Sequence, residues 1–188
     1  MITRYISCSP PTAGSFREWF GCSGSTQAFD TNNRSAHPRV RSSRIKSLLD
    51  SGTTVICDRY AFSGIAFSAS KALLPKSSSI SSPLTYGWCR APDVSLPAPD
   101  LTIFLDISPE HAAEQREGYG GERYEKLEMQ ARVREIFGRI GKEMGPEKWV
   151  TIDAGRTREE VEGDIWENVS HLVEGTDEPV NGLWSHLL

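Results

Sequence analysis

Three short apolar segments, each followed by a helical pattern, constrain the fold of this chain more than any other feature. They are residues 53–57, 101–105 and 149–153, and the middle one, Leu-Thr-Ile-Phe-Leu, is apolar almost throughout. Nearly continuous apolar strands are typical of a parallel sheet covered on both faces. Strands that alternate with helices indicate the same arrangement. The sequence therefore predicts an α/β fold with a parallel sheet flanked by helices.

The two ends of the chain differ in pattern. Residues 1–38 show no sustained periodicity and are rich in Ser, Gly, Thr, Asn and Pro, which predicts an irregular segment. From Val40 onward, apolar residues recur at helical spacing, and Thr157 with Glu160 forms the capping-box pattern that opens a final helix. We therefore divide the chain into an irregular N-terminal segment, 1–38, and a folded domain, 39–188.

The overall composition narrows the class of protein. The chain has 188 residues, which suits one domain, and a formal net charge of −4. An acidic balance disfavours a dedicated nucleic-acid-binding protein, whose domains usually carry a basic face. The basic residues between Arg34 and Lys46 keep nucleic-acid binding open as a third hypothesis, but a solvated helix face is favoured. No apolar run approaches a membrane-spanning length, so we expect no membrane association. The first 17 residues, with Arg4, Arg17 and several serines, faintly resemble an organelle-targeting segment, but they are few and include two prolines. We therefore expect a cytoplasmic or nuclear protein without organelle targeting.

The cysteines indicate neither a disulfide framework nor a zinc site. The four residues, Cys8, Cys22, Cys57 and Cys89, are far apart and form no Cys-x-x-Cys pair. Reduced thiols are the expected state.

Asp58, Arg59 and Tyr60 directly follow the apolar segment 53–57. Ligands bind at the carboxyl ends of strands in open α/β sheets, and an Arg fork can bind a phosphate or carboxylate through two parallel hydrogen bonds. An aspartate at a strand end is often only a turn former, so the tripeptide alone is weak. Three residues that follow strengthen it, because a glycine allows close approach to the backbone and an aromatic ring can face a base: Ser63, Gly64 and Phe67.

Two further segments are candidates. Residues 116–124 combine glycines with Arg116, Arg123 and Tyr124, as a lid that closes over a transferring phosphoryl group requires. A charged surface turn is the alternative for this segment. Asp153 and Ala154 follow the last strand, where a backbone turn can flank a base, although an ordinary strand-to-helix connection explains them too.

Together these motifs resemble the thymidylate kinases of the eukaryotic type. The run from Asp58 to Gly64 is similar to the central motif of that family, and the other similar segments follow in the family's order: 88–93, 96–101, 120–125, 153–154 and 179–184. The resemblance covers about Ile45 to Trp184.

The resemblance implies a P-loop NTPase-like fold, a homodimer, and phosphoryl transfer from ATP to dTMP, which gives dTDP and ADP with Mg²⁺ as cofactor. It assigns the catalytic roles to Asp58, Arg59, Arg116 and Arg123, with Asp58 a possible metal ligand through water. It assigns dTMP binding to Arg59, Tyr60, Ser63, Gly64, Phe67 and Tyr124. The adenine of ATP would lie beside Asp153 and Ala154.

The sequence departs from the family at its N-terminal side. It contains no Gly-x-x-x-x-Gly-Lys-Ser/Thr motif, and the nearest string, Gly21 to Gln27, has Gly24 in place of the lysine. The interval between Gln27 and Asp58 is also shorter than the family pattern. We therefore expect the N-terminal strand and P-loop unit to be absent or disordered and catalysis to be doubtful. A catalytically silent nucleotide-binding or dimerisation protein is the alternative.

Overall fold

A five-stranded parallel sheet organises the chain. The computed structural model describes residues 5–9, 26–30, 38–58, 60–72, 85–108, 127–172 and 179–185. The strands are β1 (Tyr5–Ser9), β2 (Thr26–Asp30), β3 (Thr54–Asp58), β4 (Leu101–Asp106) and β5 (Trp149–Asp153). The helices are α1 (Pro38–Asp50), α2 (Ala61–Ala72), α3 (Tyr86–Arg90), α4 (Leu127–Met144) and α5 (Arg158–Val169), and 3-10 turns follow α3 and α5. The spatial strand order is β2-β3-β1-β4-β5.

The sheet corrects the expectation of an irregular N-terminal segment without a strand. β1 lies in the centre, where Tyr5 pairs with Val55 of β3 and Ile6 pairs with Leu101 of β4. β2 pairs with β3 at the edge. Both strands are only five residues long and mix polar with apolar residues, so they carry little periodic signal. Pairing with neighbouring strands, which the local sequence does not reveal, determines their conformation. The division of the chain at residue 38 stays a prediction.

The apolar core covers both faces of the sheet, as the strand sequences predict. β4 alternates between faces: Leu101, Ile103 and Leu105 pack with the buried side of α5, whereas Phe104 packs with the larger cluster on the opposite face. That larger cluster takes side chains from α1, α2, α3 and α4. Buried residues on alternate sides of a strand follow from the two-residue repeat of its side chains.

The helices follow the sequence pattern closely at their ends. α1 is followed by Gly52 at a φ of +80°, a conformation that glycine adopts without steric cost. At α5, the Thr157 side chain accepts from the Glu160 backbone, and the Glu160 side chain accepts from the Thr157 backbone. Among the described side chains of α4, the buried ones are Met129, Val133, Ile136, Phe137 and Ile140, whereas Ala131 is exposed.

Cys57 and Cys89 are buried, and the side chains of the other two cysteines lie outside the described part of the chain. Within the described ranges, no helix has both the length and the apolar character needed to cross a bilayer.

Candidate functional site

The carboxyl ends of all five strands meet at one edge of the sheet because the strands are parallel. The strand order reverses at β1: β2 and β3 lie on one side of it, and β4 and β5 lie on the other. Such a reversal of strand order opens a crevice in which ligands of α/β proteins bind. The strands on either side of β1 end in aspartates: Asp30, Asp58, Asp106 and Asp153.

α2 presents predicted site residues at this edge. It begins at Ala61, directly after β3, and buries one side, which includes Phe62 and Ile65. Ser63 is half-buried and Gly64 is exposed, whereas Phe67 is half-buried and packs against the larger core cluster. A Cβ added at Gly64 would meet no atom within 4 Å in the described structure, which leaves its backbone open to a ligand.

The N-terminus of α2 favours an anion. Its first turn contains no acidic residue, and its first amides are not used within the helix. Backbone amides and the helix dipole at such a terminus attract phosphate groups. Asp58 ends β3 immediately before it, and Arg59 lies outside the described residues. Tyr60 belongs to the core and is 8% exposed, so its part in substrate binding stays a prediction.

The turn after β5 lies farther along the same edge. Ala154 N donates to Asp106 O at 2.8 Å, and Gly155 N donates to the Asp153 carboxylate at 2.9 Å. These bonds fix a compact turn with Ala154 half-buried. The ends of β3 and β5 are three strand spacings apart, about 14 Å. Candidate residues for the acceptor and for adenine therefore share an edge without touching, as two separate ligand groups would require.

An ion pair that the sequence analysis missed lies at this edge. Arg134 of α4 contacts both oxygens of Asp106: Nε lies 2.7 Å from Oδ1 and 3.0 Å from Oδ2, and Nη2 lies 2.6 Å from Oδ2. The pair connects α4 to the end of β4, and both oxygens of the Asp106 carboxylate accept hydrogen bonds from Arg134. No local motif could have revealed it, because the two residues are joined only by the packing of α4 on the sheet.

The donor chemistry at the edge allows a magnesium ion. Among the described residues, no three His, Cys, Asp or Glu side chains are grouped to hold a metal. Mg²⁺ needs few protein ligands, usually one or two carboxylates besides water and phosphate. Asp106 is held by Arg134, and the possible metal role of Asp58 at the end of β3 stays a prediction.

Several predicted site residues fall outside the described structure. These are Arg59, Arg116, Arg123 and Tyr124, and their roles stay predictions. The string that resembles a phosphate-binding loop is partly described: Thr26 and Gln27 begin β2. A Walker A loop joins a strand to a helix, whereas this string leads into a strand. It therefore lacks the structural context of such a loop.

A family model for thymidylate kinase matches residues 31–165, which include α1 to β5 and the β3–α2 connection. The chain belongs to the thymidylate kinase family. It is 40% identical over 153 residues to a thymidylate kinase of Arabidopsis thaliana, covering 80% of this chain and 52% of the relative. With the Schizosaccharomyces pombe enzyme it shares 45% over 126 residues, covering 66% and 54%. With that of Homo sapiens it shares 36% over 141 residues, covering 74% and 61%.

The share of the relatives' length that the chain covers, and its fold, both bear on this family assignment. The chain spans about half to three-fifths of the length of these curated relatives. Its fold is similar to a solved thymidylate kinase structure from Candida albicans, with a TM-score of 0.77, 22% identity and coverage of 97% of this chain and 98% of the other. The predicted α/β, P-loop NTPase-like fold class is thus confirmed, apart from the N-terminal strand described above.

Proposed function

We propose that the carboxyl edge around α2 binds dTMP and that the chain is related by function to thymidylate kinases. Their reaction transfers the γ-phosphoryl of ATP to dTMP, giving dTDP and ADP. The observation that carries the proposal is the family match over residues 31–165, which includes the β3–α2 connection. The open backbone at Gly64 and the anion-favouring start of α2 support a phosphate-bearing ligand there.

Each residue has a distinct part in the proposed dTMP site. Arg59 binds the acceptor phosphate with its planar fork, close to the free amides of α2. Ser63, Gly64 and Phe67 line the nucleoside side, and Tyr60 contributes to substrate binding. From the segment that precedes α4, Tyr124 approaches the deoxyribose.

The donor half of the proposal involves ATP and Mg²⁺. The Asp58 carboxylate would hold the metal, directly or through water, and Arg116 with Arg123 would neutralise charge on the transferring phosphoryl. Adenine would lie by the turn of Asp153 and Ala154. The chain has no Walker A lysine or amide cradle in its sequence, so we infer turnover far below that of complete kinases. A dTMP-binding protein without catalysis is therefore the second candidate function.

Calorimetric titration of the purified chain with dTMP tests the acceptor site. We expect binding by the wild type and a loss of about ten- to hundredfold in affinity for Arg59→Lys, because an ammonium cannot form the paired hydrogen bonds of a guanidinium. Arg158→Lys, at an exposed position of α5, is the matched control and should leave the affinity unchanged. Failure of the wild type to bind dTMP would contradict the proposed function.

A coupled assay for ADP release, with ATP, dTMP and Mg²⁺, tests the donor half. Negligible turnover together with dTMP binding would favour the silent binding protein. Turnover of about 1–100 per second, as in ordinary kinases, would instead contradict the inference drawn from the missing lysine.

The homodimer implied by the family resemblance belongs to the same proposal. Light scattering on the purified chain measures its molar mass directly, for comparison with the 20.9 kDa of one chain. A mass near twice that value is expected.

A further inference from the structure

The C-terminal strap, defined here as residues 179–185, is bound along the segment that precedes β4. Among the described residues, three backbone hydrogen bonds join the two: Ser95 N to Leu183 O at 2.8 Å, Leu183 N to Leu96 O at 2.7 Å, and Ala98 N to Asn181 O at 2.7 Å. Pro97 and Gly182 form an antiparallel bridge between them. The strap is therefore attached by its backbone, like a short extra strand.

The strap fits closely against this segment. A Cβ added at Gly182 would lie 3.2 Å from the Cα of Ser95, so only glycine fits there without displacement. Trp184 has a φ of +50° and Ser95 a φ of +67°, a region that residues other than glycine seldom adopt. Such conformations persist where surrounding contacts determine them. Leu183 and Trp184 provide those contacts, since they are only 1% and 4% exposed.

The Trp184 side chain packs against Phe62 of α2. Their ring centroids are 5.9 Å apart with the rings perpendicular. Trp149 of β5 holds Phe62 from another side, at 5.3 Å and 80°. Both are favourable edge-to-face arrangements. Phe62 is fully buried, so its position depends on these two indoles.

The indole of Trp184 is itself restrained by α3. The Arg90 guanidinium lies 5.5 Å from the centroid of the Trp184 ring, within the range of a cation–π contact. Arg90 Nη1 also donates to the Glu143 carboxylate of α4 at 2.9 Å. Trp184 thus joins the strap to Phe62 of α2 and Arg90 of α3, and Arg90 in turn pairs with Glu143 of α4.

These contacts end at the proposed dTMP site. Phe62 directly precedes Ser63 and Gly64 on the first turn of α2. We propose that Trp184 is a positioning residue for dTMP binding: by packing on Phe62, it fixes the first turn of α2 in the orientation that receives the nucleotide. This inference rests on the proposed function. It means that the strap, which is distant from α2 in sequence, contributes to the affinity for dTMP.

The test compares Trp184→Leu with Trp184→Phe in the full chain. Trp166→Leu is the matched control, because Trp166 is 56% exposed and lies on α5, which packs in the other core cluster. Calorimetry gives the dTMP affinity, and hydrogen exchange compares the amides of α2 with those of α5. We expect Trp184→Leu to weaken dTMP binding about tenfold and to accelerate exchange in α2 alone. Trp184→Phe keeps an aromatic ring against Phe62 and should restore most of both.

Two results would overturn the proposal while the wild type still binds dTMP. One is unchanged affinity and unchanged α2 exchange in Trp184→Leu. The other is equal acceleration in α2 and α5, which would mean a general loss of stability instead of a local effect. A wild type that does not bind dTMP is a different result, which would overturn the proposed function and the role of Trp184 with it.

Discussion

At the scale of single residues, Gly141 on α4 is required by one close contact. A Cβ at this position would lie 2.7 Å from Nε1 of Trp149 and 2.8 Å from its Cδ1. Trp149 cannot move aside easily, because it is 7% exposed and packs against Phe62 and Phe104. The glycine thus allows α4 to approach β5 closely.

Gly141→Ala should therefore destabilise the protein by about 1–3 kcal/mol through overpacking. Gly138→Ala is the matched control on the same helix, where an added Cβ meets nothing within 4 Å in the described structure. That control should stabilise the chain by up to about 1 kcal/mol, because alanine has the higher helix propensity. Urea unfolding measures both variants. Equal effects of the two substitutions would contradict the close packing of α4 on Trp149.

At the scale of elements, the capping box of α5 links stability to pH. The Thr157 hydroxyl and backbone amide donate to the Glu160 carboxylate, and these hydrogen bonds lower its pKa from the ordinary value of 4.5. A lowered folded-state pKa stabilises the fold above the unfolded pKa, and this contribution is lost as pH falls through the folded value. Glu160→Gln should thus lower stability at pH 7, and its difference from the wild type should vanish in acid.

Thermal unfolding between pH 3 and pH 7 checks this expectation. Thr157→Ala removes the N-cap itself and should cost about 1 kcal/mol. Glu162→Gln, an exposed position of the same helix outside the capping box, serves as the control. A wild-type advantage over Glu160→Gln that persists unchanged at pH 3 would refute the assigned cause.

Elements differ in how far the sequence could predict them. α5 was predictable because its cap and its buried residues Val161, Ile165 and Val169 all lie within one local pattern. β1 was not, because a five-residue strand in the centre of a sheet depends on partners at Val55 and Leu101. The same reason explains which features near the site the sequence could indicate. Ser63 and Gly64 were predicted from the motif that contains them and their roles stay predictions, whereas the Asp106–Arg134 pair depends on packing between distant segments.

At the scale of the whole molecule, β1 divides the sheet into two halves. It is paired with β3 on one side and β4 on the other, so its removal would leave two separate strand pairs, β2–β3 and β4–β5. Isolated two-stranded units are marginal in water. Deletion of residues 1–9 should therefore abolish cooperative thermal unfolding, as followed by circular dichroism.

Deletion of residues 1–4, which precede β1, is the control for that experiment. It should leave the unfolding transition in place, since the strand and both of its pairings remain. A chain without residues 1–9 that unfolds at the wild-type temperature would contradict the central position of β1 and restore the expectation of an irregular N-terminal segment.

The central position of β1 has a further consequence while the chain is being made. Tyr5 leaves the ribosome long before its partner Val55, and Ile6 longer still before Leu101. At about 5–20 residues per second, the first neighbouring strand follows only after roughly 3–10 s. Throughout this interval the backbone of the nascent strand has neither of its sheet neighbours. Until residue 55 has been made, the unpaired N–H and C=O groups of this strand are therefore exposed to pairing with other chains.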